Sequence, residues 1–157
     1  MHYDPHAMAF ADQRLRQFLL ALLAAGLIGL GVELVLLEHY EDVWQLTPLV
    51  LITANLVVLS WQVARPSWPA VQSLRVLMVA MLAAGAIGIF LHYRANMEFQ
   101  LEMSPGLSGL ELFLKTIRAK VPPPLAPGAM AQLGVLGLLY TYRHPLLTRP
   151  HHIGAGQ

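Results

Sequence analysis

Apolar positions along this chain gather into four long blocks separated by short polar stretches, and one block occurs twice. Residues 15–29 and 74–88, 59 positions apart, share the pattern L-R-x4-A-x-L-A-A-G-x-I-G. Each copy opens on an arginine, Arg16 or Arg75, and runs into an apolar segment with small residues every fourth position. Spacing of four keeps residues near one face of a helix. At 1.5 Å per residue, a run of about 20 apolar residues crosses a hydrocarbon core of about 30 Å. Residues 18–37 and 74–93 are therefore read as the first and third spans, each opening a hairpin.

The second span, residues 46–64, begins near Pro48. A proline in the first turn costs little, since its missing N–H has no helical partner there. The fourth, residues 125–142, repeats the second with a shift of 79: Pro48 falls on Pro127, Trp61 on Tyr140 and Pro66 on Pro145. The two shifts differ by 20, so the second hairpin carries that many extra residues in its connection, within 96–124. Inside this insertion Leu107, Leu110, Phe113, Leu114 and Ile117 recur at helical spacing, with Glu111, Lys115 and Arg118 off the stripe. Ser108 and Glu111 fit a capping box, and three prolines from Pro122 enforce a stop. The pattern predicts a short amphipathic helix over 107–119, lying on the membrane or lidding the bundle.

The fold class expected is thus an all-α integral membrane protein with four transmembrane helices. They form two tandem hairpins, a parallel internal repeat, with the amphipathic helix in the outer loop between helices 3 and 4. The organisation is a cytoplasmic segment 1–17, a first hairpin 18–64, a cytoplasmic linker 65–73, a second hairpin 74–142 with outer insertion 96–124, and a cytoplasmic tail 143–157. Arginines ahead of an apolar run also occur in signal peptides. The recurrence of the same pattern in mid-chain argues for a helix that stays.

Composition agrees with this class: 56% of the 157 residues are hydrophobic and 12% charged, against roughly 25% charged in soluble domains. The net charge of +1 and the scattered basic residues give no nucleic-acid footprint. With no cysteine, disulfides, thiolate metal sites and cysteine nucleophiles are excluded. Orientation follows from Lys/Arg counts in short loops. The side holding the N-terminus has Arg14, Arg16, Arg65, Arg75, Arg143 and Arg149; the other has Arg94, Lys115, Arg118 and Lys120 among six acids. Both termini are expected in the cytoplasm, with the plasma or inner membrane as the location if the cell is bacterial.

Candidate chemistry is sparse. On the first helix Ala21, Ala25 and Gly29 lead to Glu33; on the third, Ala80, Ala84 and Gly88 lead to His92. Small faces let helices approach closely in lipid, so the two stripes are expected to pack together and to bring Glu33 and His92 into an intramembrane polar pair. An ionisable residue inside a span is a functional-site hypothesis by default; the simpler reading is a pair that fixes register. Thr53, Asn55, Gln62 and Gln132 are candidates for interhelical hydrogen bonds or a polar path. Met78 and Met81, among leucines, are read as packing residues or lipid-facing ones.

Carboxylate and imidazole suit a metal ion, and Glu33, Glu38, His39, His92 and Glu98 lie towards the outward end, without tight ligand spacing. Haem between His39 and His92 meets a height mismatch of about 9 Å at the helical rise, unless the first helix unwinds at Glu38. No cofactor is expected, a metal ion or haem at the outward face being the alternative. The function expected is non-enzymatic: a structural or accessory subunit of a membrane complex, or a homo-oligomer, whose partners are the bilayer and other membrane subunits or itself. The alternatives are a transporter or channel for protons, ions or a small solute using Glu33, His92, Asn55 and Gln132, and a metal- or haem-binding redox protein.

Overall fold

The structure is a computed structural model that describes residues 5–119 and 125–148. All its regular elements are helical: α1 (Pro5–Leu36), α2 (Val43–Ala64), α3 (Trp68–Met103), α4 (Gly109–Ile117), α5 (Leu125–Thr141) and α6 (Pro145–Thr148). Three stretches are long and apolar enough to cross a membrane, Asp12–Leu36, Val43–Ala64 and Trp68–Met103. Helix α5 is apolar but has 17 residues, about 25 Å at the helical rise, at the lower limit of a span.

Several boundaries differ from the expected ones, each for a local reason. Helix α1 is helical from Pro5, well ahead of the apolar run, because nothing in the polar lead-in breaks it and Arg16 pairs with Asp12 one turn earlier (3.0 Å). It stops at Leu36, where Glu38 takes a left-handed conformation (φ 54°) and the His39 N–H donates to the Leu34 carbonyl. Helix α2 starts at Val43 because the Asp42 carboxylate accepts the Gln45 N–H (2.9 Å). Pro48 consequently lies inside the helix instead of in its first turn.

Helix α3 does not end at the membrane surface. It continues through residues 94–103, taken above for the start of a loop, since Arg94 and Glu98 pair at one-turn spacing (2.7 Å) and no breaker precedes Ser104. Its 36 residues measure about 54 Å, far more than a hydrocarbon core. Helix α4 folds back along this projection, with the Phe113 ring tilted against Tyr93 at 6.2 Å. Ser108 stands at its N-cap, but the hydroxyl makes no cap bond, and Glu111 pairs forward with Lys115 (3.1 Å); the capping box does not form. Thr116 is buried, whereas Leu110, Phe113 and Ile117 face outward.

The four long helices pack as antiparallel neighbours around a core in which each contributes a near-heptad seam. Leu23, Leu27, Leu30 and Leu34 on α1, Ile52, Asn55, Leu59 and Gln62 on α2, and Leu74, Met78, Met81 and Gly85 on α3 are all buried. Alternate steps of three and four are those of knobs-into-holes packing. Met78 and Met81 are thereby core residues at 0% exposure, not lipid-facing ones.

Helix α1 packs on α2 and α5, and α3 packs on the same two. The expected α1–α3 interface is therefore not the one that forms. Ala21, Ala25 and Gly29 point away from the bundle, and nothing lies within 4 Å of where a Cβ on Gly29 would be. On α3 the matching stripe is only partly used: Ala80 is exposed, while a Cβ on Gly88 would come 2.7 Å from Pro127 of α5, and the tightest approach is at the neighbouring Gly85, whose Cβ would come 2.7 Å from the Ala131 backbone nitrogen. Helix α5 answers with its own glycines, since a Cβ on Gly134 would lie 2.9 Å from the Leu82 nitrogen and one on Gly137 would strike Met78. Core positions of α3 at 74, 78, 81 and 85 correspond in the repeat to 15, 19, 22 and 26, whereas the α1 seam is 23, 27, 30 and 34. The two copies are thus rotated by one residue, about 100°, and the sequence repeat is not carried into equivalent packing.

Gly85→Ala should destabilise the protein by about 1–3 kcal/mol through overpacking against backbone. Gly29→Ala should leave stability unchanged or raise it by up to about 1 kcal/mol from helix propensity. Denaturation of the detergent-solubilised variants followed by circular dichroism checks the contrast, and equal effects would refute the close α3–α5 approach.

Candidate functional site

An open groove of about 380 Å³ runs along α1 and α5, lined by Gly26, Leu30, Glu33, Ala129, Gln132, Leu133 and Leu136, and a second of similar size lies between α1 and α2. The first exists because Gly26 has no side chain: a Cβ there would run into Leu133. Glu33 and Gln132, both exposed, are its only side chains with polar ends. Glu33 lies one turn before the end of α1, with apolar residues around it.

His92 is not at this site. It lies on α3, at the opposite corner of the bundle from α1, half-buried, with Nδ1 enclosed and without a hydrogen-bond partner among the described residues. The Glu33–His92 pair is thus not formed, because the stripes meant to bring it together face different neighbours. Nor do the candidate metal ligands converge: among the described residues no three His, Asp or Glu side chains are placed to hold an ion. Glu33 is in the groove, Glu38 and His39 are on the turn after α1, and Glu98 is engaged by Arg94. The first helix does end before Glu38, yet His39 follows α1 and His92 lies on α3, and these helices are not packing partners.

The amides have separate surroundings. Asn55 is fully buried; its Nδ2 donates to the Leu51 carbonyl of its own helix (2.8 Å) and reaches only Met81 Sδ across the interface (3.7 Å), leaving Oδ1 unpartnered. Gln62 does make an interhelical bond, Nε2 donating to the Tyr140 hydroxyl (3.4 Å), while its Oε1 is unpartnered. Thr53 turns back to the Leu49 carbonyl (2.8 Å) and is exposed on the α1–α2 side. Of the proposed path, only Glu33 and Gln132 share a space.

Charge at the other end of the bundle does something the sequence did not announce. The Arg16 guanidinium donates to the carbonyls of Tyr140 (2.9 Å), Tyr142 (3.3 Å) and Arg143 (3.3 Å), while its Nε donates to Asp12 (3.0 Å). These carbonyls end α5, where unpaired acceptors and the helix dipole favour a cation. The repeat drew attention to Arg16, but its counterpart Arg75 is exposed; no local signal names a partner more than 120 residues away. Beside this cap His144 is buried, its ring 5.4 Å from that of Tyr140, and Nδ1 accepts the Leu146 N–H (3.3 Å). Burial, and then the Arg16 charge, hold its pKa below the ordinary value, with Asp12 pulling weakly the other way.

No family model matches the chain, and no curated protein or solved structure shows significant similarity to it. Function therefore has to be argued from the residues.

Two tests follow from these buried groups. Asn55→Leu removes an unpaired acceptor from the core at similar volume, so stability should be unchanged or raised by up to about 1–3 kcal/mol; a marked loss would mean that Asn55 has a partner. His144 binds a proton less readily folded than unfolded, so its contribution is complete above the unfolded pKa of about 6.5 and is lost as pH falls below that. Melting temperature should drop on acidification through this range, and His144→Gln should flatten the drop.

Proposed function

We propose that this is a four-span membrane protein with cytoplasmic termini that acts without catalysis, as a structural or accessory subunit that associates through the outward face of α1. The observation that carries the reading is the outward stripe of Ala21, Ala25 and Gly29, which the protein's own helices leave uncovered. Stripes of small residues are what bring transmembrane helices together in lipid, where tails compete with side chains for apolar contact and close backbone approach decides. The chain spends its other glycines, Gly85, Gly134 and Gly137, on such an approach between α3 and α5. Its axis is filled by leucines and methionines, which favours a packed scaffold over an open conduit.

Support for a fourth crossing comes from Arg16, which ties the end of α5 to the start of α1. A short α5 packed antiparallel against two helices that cross is best accommodated as a span, with its missing length made up by the projecting end of α3. The outward apolar face of α4 then lies at the outer interface, where amphipathic helices rest. Partners are the bilayer and a transmembrane helix of a second copy or of another subunit.

The lack of native cysteine makes the test direct. A single Ala25→Cys in membranes should cross-link to one defined product, and Ala25→Leu with Gly29→Leu should abolish the association while leaving the melting temperature unchanged. An assembly of unaltered size in the double variant would overturn this function. Reporter fusions at Gln157 and between 96 and 119 should lie on opposite sides of the membrane.

A further inference from the structure

Helix α5 uses two of its sides inside the bundle. Pro127, Gly134 and Gly137 meet α3, and Leu133 meets Gly26 of α1. The remaining side carries Leu125, Gly128, Gln132, Val135 and Leu139, at alternating steps of three and four. Leu125, Val135 and Leu139 are exposed, Gln132 is exposed with them, and a Cβ on Gly128 would meet nothing within 4 Å. This is the spacing of a knobs-into-holes seam, the same that α2 presents to the core with Ile52, Asn55, Leu59 and Gln62. The α2 seam is covered by the chain's own helices, whereas the α5 seam has no cover among the described residues.

Gln132 decides what that cover is. It is the eighth of the 17 residues of α5, and its neighbour Leu133 touches Gly26, close to the middle of the apolar stretch Asp12–Leu36. With α5 crossing the membrane as proposed above, on which this inference rests, the amide lies near the bilayer midplane. It makes no hydrogen bond among the described residues. An amide in hydrocarbon is costly unless it is paired, and in lipid such groups pair across helices. Neither a lipid tail nor a purely apolar helix can supply the donor and acceptor that Gln132 requires.

A second copy of this chain supplies both. Two copies inserted in one membrane share an orientation, so their α5 helices run parallel about a two-fold axis along the membrane normal, and each residue on the axis meets its own equivalent. Leu125, Gln132 and Leu139 then form one set of layers, with Gly128 and Val135 forming the other. An amide is complementary to itself, since each Nε2 can donate to the Oε1 of the other; a charged residue at the same place would meet its like. We infer that the outward face of α5 is a homodimer interface, closed at the bilayer midplane by hydrogen bonds between Gln132 of the two copies. Gly128 lets the two helices come close on one side of that pair. The interface is separate from the Ala21, Ala25 and Gly29 stripe of α1, which it leaves open to its own partner.

The experiment uses the full-length protein in phosphatidylcholine vesicles at decreasing protein-to-lipid ratio, with the dimer read by energy transfer between two populations labelled at the C-terminus. Gln132→Leu should weaken the dimer about tenfold with the helical spectrum unchanged, and Gln132→Asn should retain it better than Gln132→Leu does. Because the chain has no cysteine, Leu139→Cys reports the axis directly. It should cross-link to itself under mild oxidation, whereas Val63→Cys, exposed on α2, should not. An unchanged dimer fraction in Gln132→Leu, or Leu139→Cys cross-linking no better than Val63→Cys or only to a different protein, would overturn the interface. Ala25→Leu with Gly29→Leu should leave the Leu139→Cys product unchanged, which separates this surface from the α1 stripe. Reporter fusions at Gln157 and between 96 and 119 on one side of the membrane would remove the α5 crossing and this interface together; fusions on opposite sides with an inert Gln132→Leu would overturn the interface alone.

Discussion

The close approach of α3 to α5 is the constraint on which the rest of the bundle depends. Gly85 and Gly134 each leave less than a methyl group's room before the other helix's backbone. Where lipid competes for every apolar contact, such an approach gains dispersion contacts that larger side chains would prevent. It commits the Gly85 face of α3 to α5 and places α1 at the opposite corner, where Ala21, Ala25 and Gly29 are left without an intramolecular partner. The intramembrane carboxylate and imidazole are separated as a consequence.

Polar groups mark the edges of this arrangement. At the end where α1 begins, Arg16 supplies the charge and donors that the terminal carbonyls of α5 lack, and His144 is buried beside it with Nδ1 accepting the Leu146 N–H. Midway, Asn55 and Gln62 occupy seam positions that leucine would fill more cheaply, each with an unpaired oxygen. Buried polar residues at seam positions can fix register and pairing at some cost in stability. Near the other end of α1, Glu33 keeps to its flank, in the groove beside α5.

What could be read from the chain itself was the class: apolar blocks of membrane length and the turns that join them, because these depend on local hydrophobic period and on the bilayer's thickness. The amphipathic helix between the third and fourth apolar blocks was legible too. The repeat misled, since identical motifs at 15 and 74 need not face the same way. Their rotation is set by what each helix meets, and the partner of Gly85 and Gly88 is a helix that begins some 40 residues later. The extension of α3 to Met103 was missed because its residues are amphipathic helix formers outside an apolar block. Arg16 on the α5 carbonyls and Leu133 against Gly26 are long-range contacts between elements. Periodicity fixes which residues share a face of one helix; only packing against the others decides what that face touches.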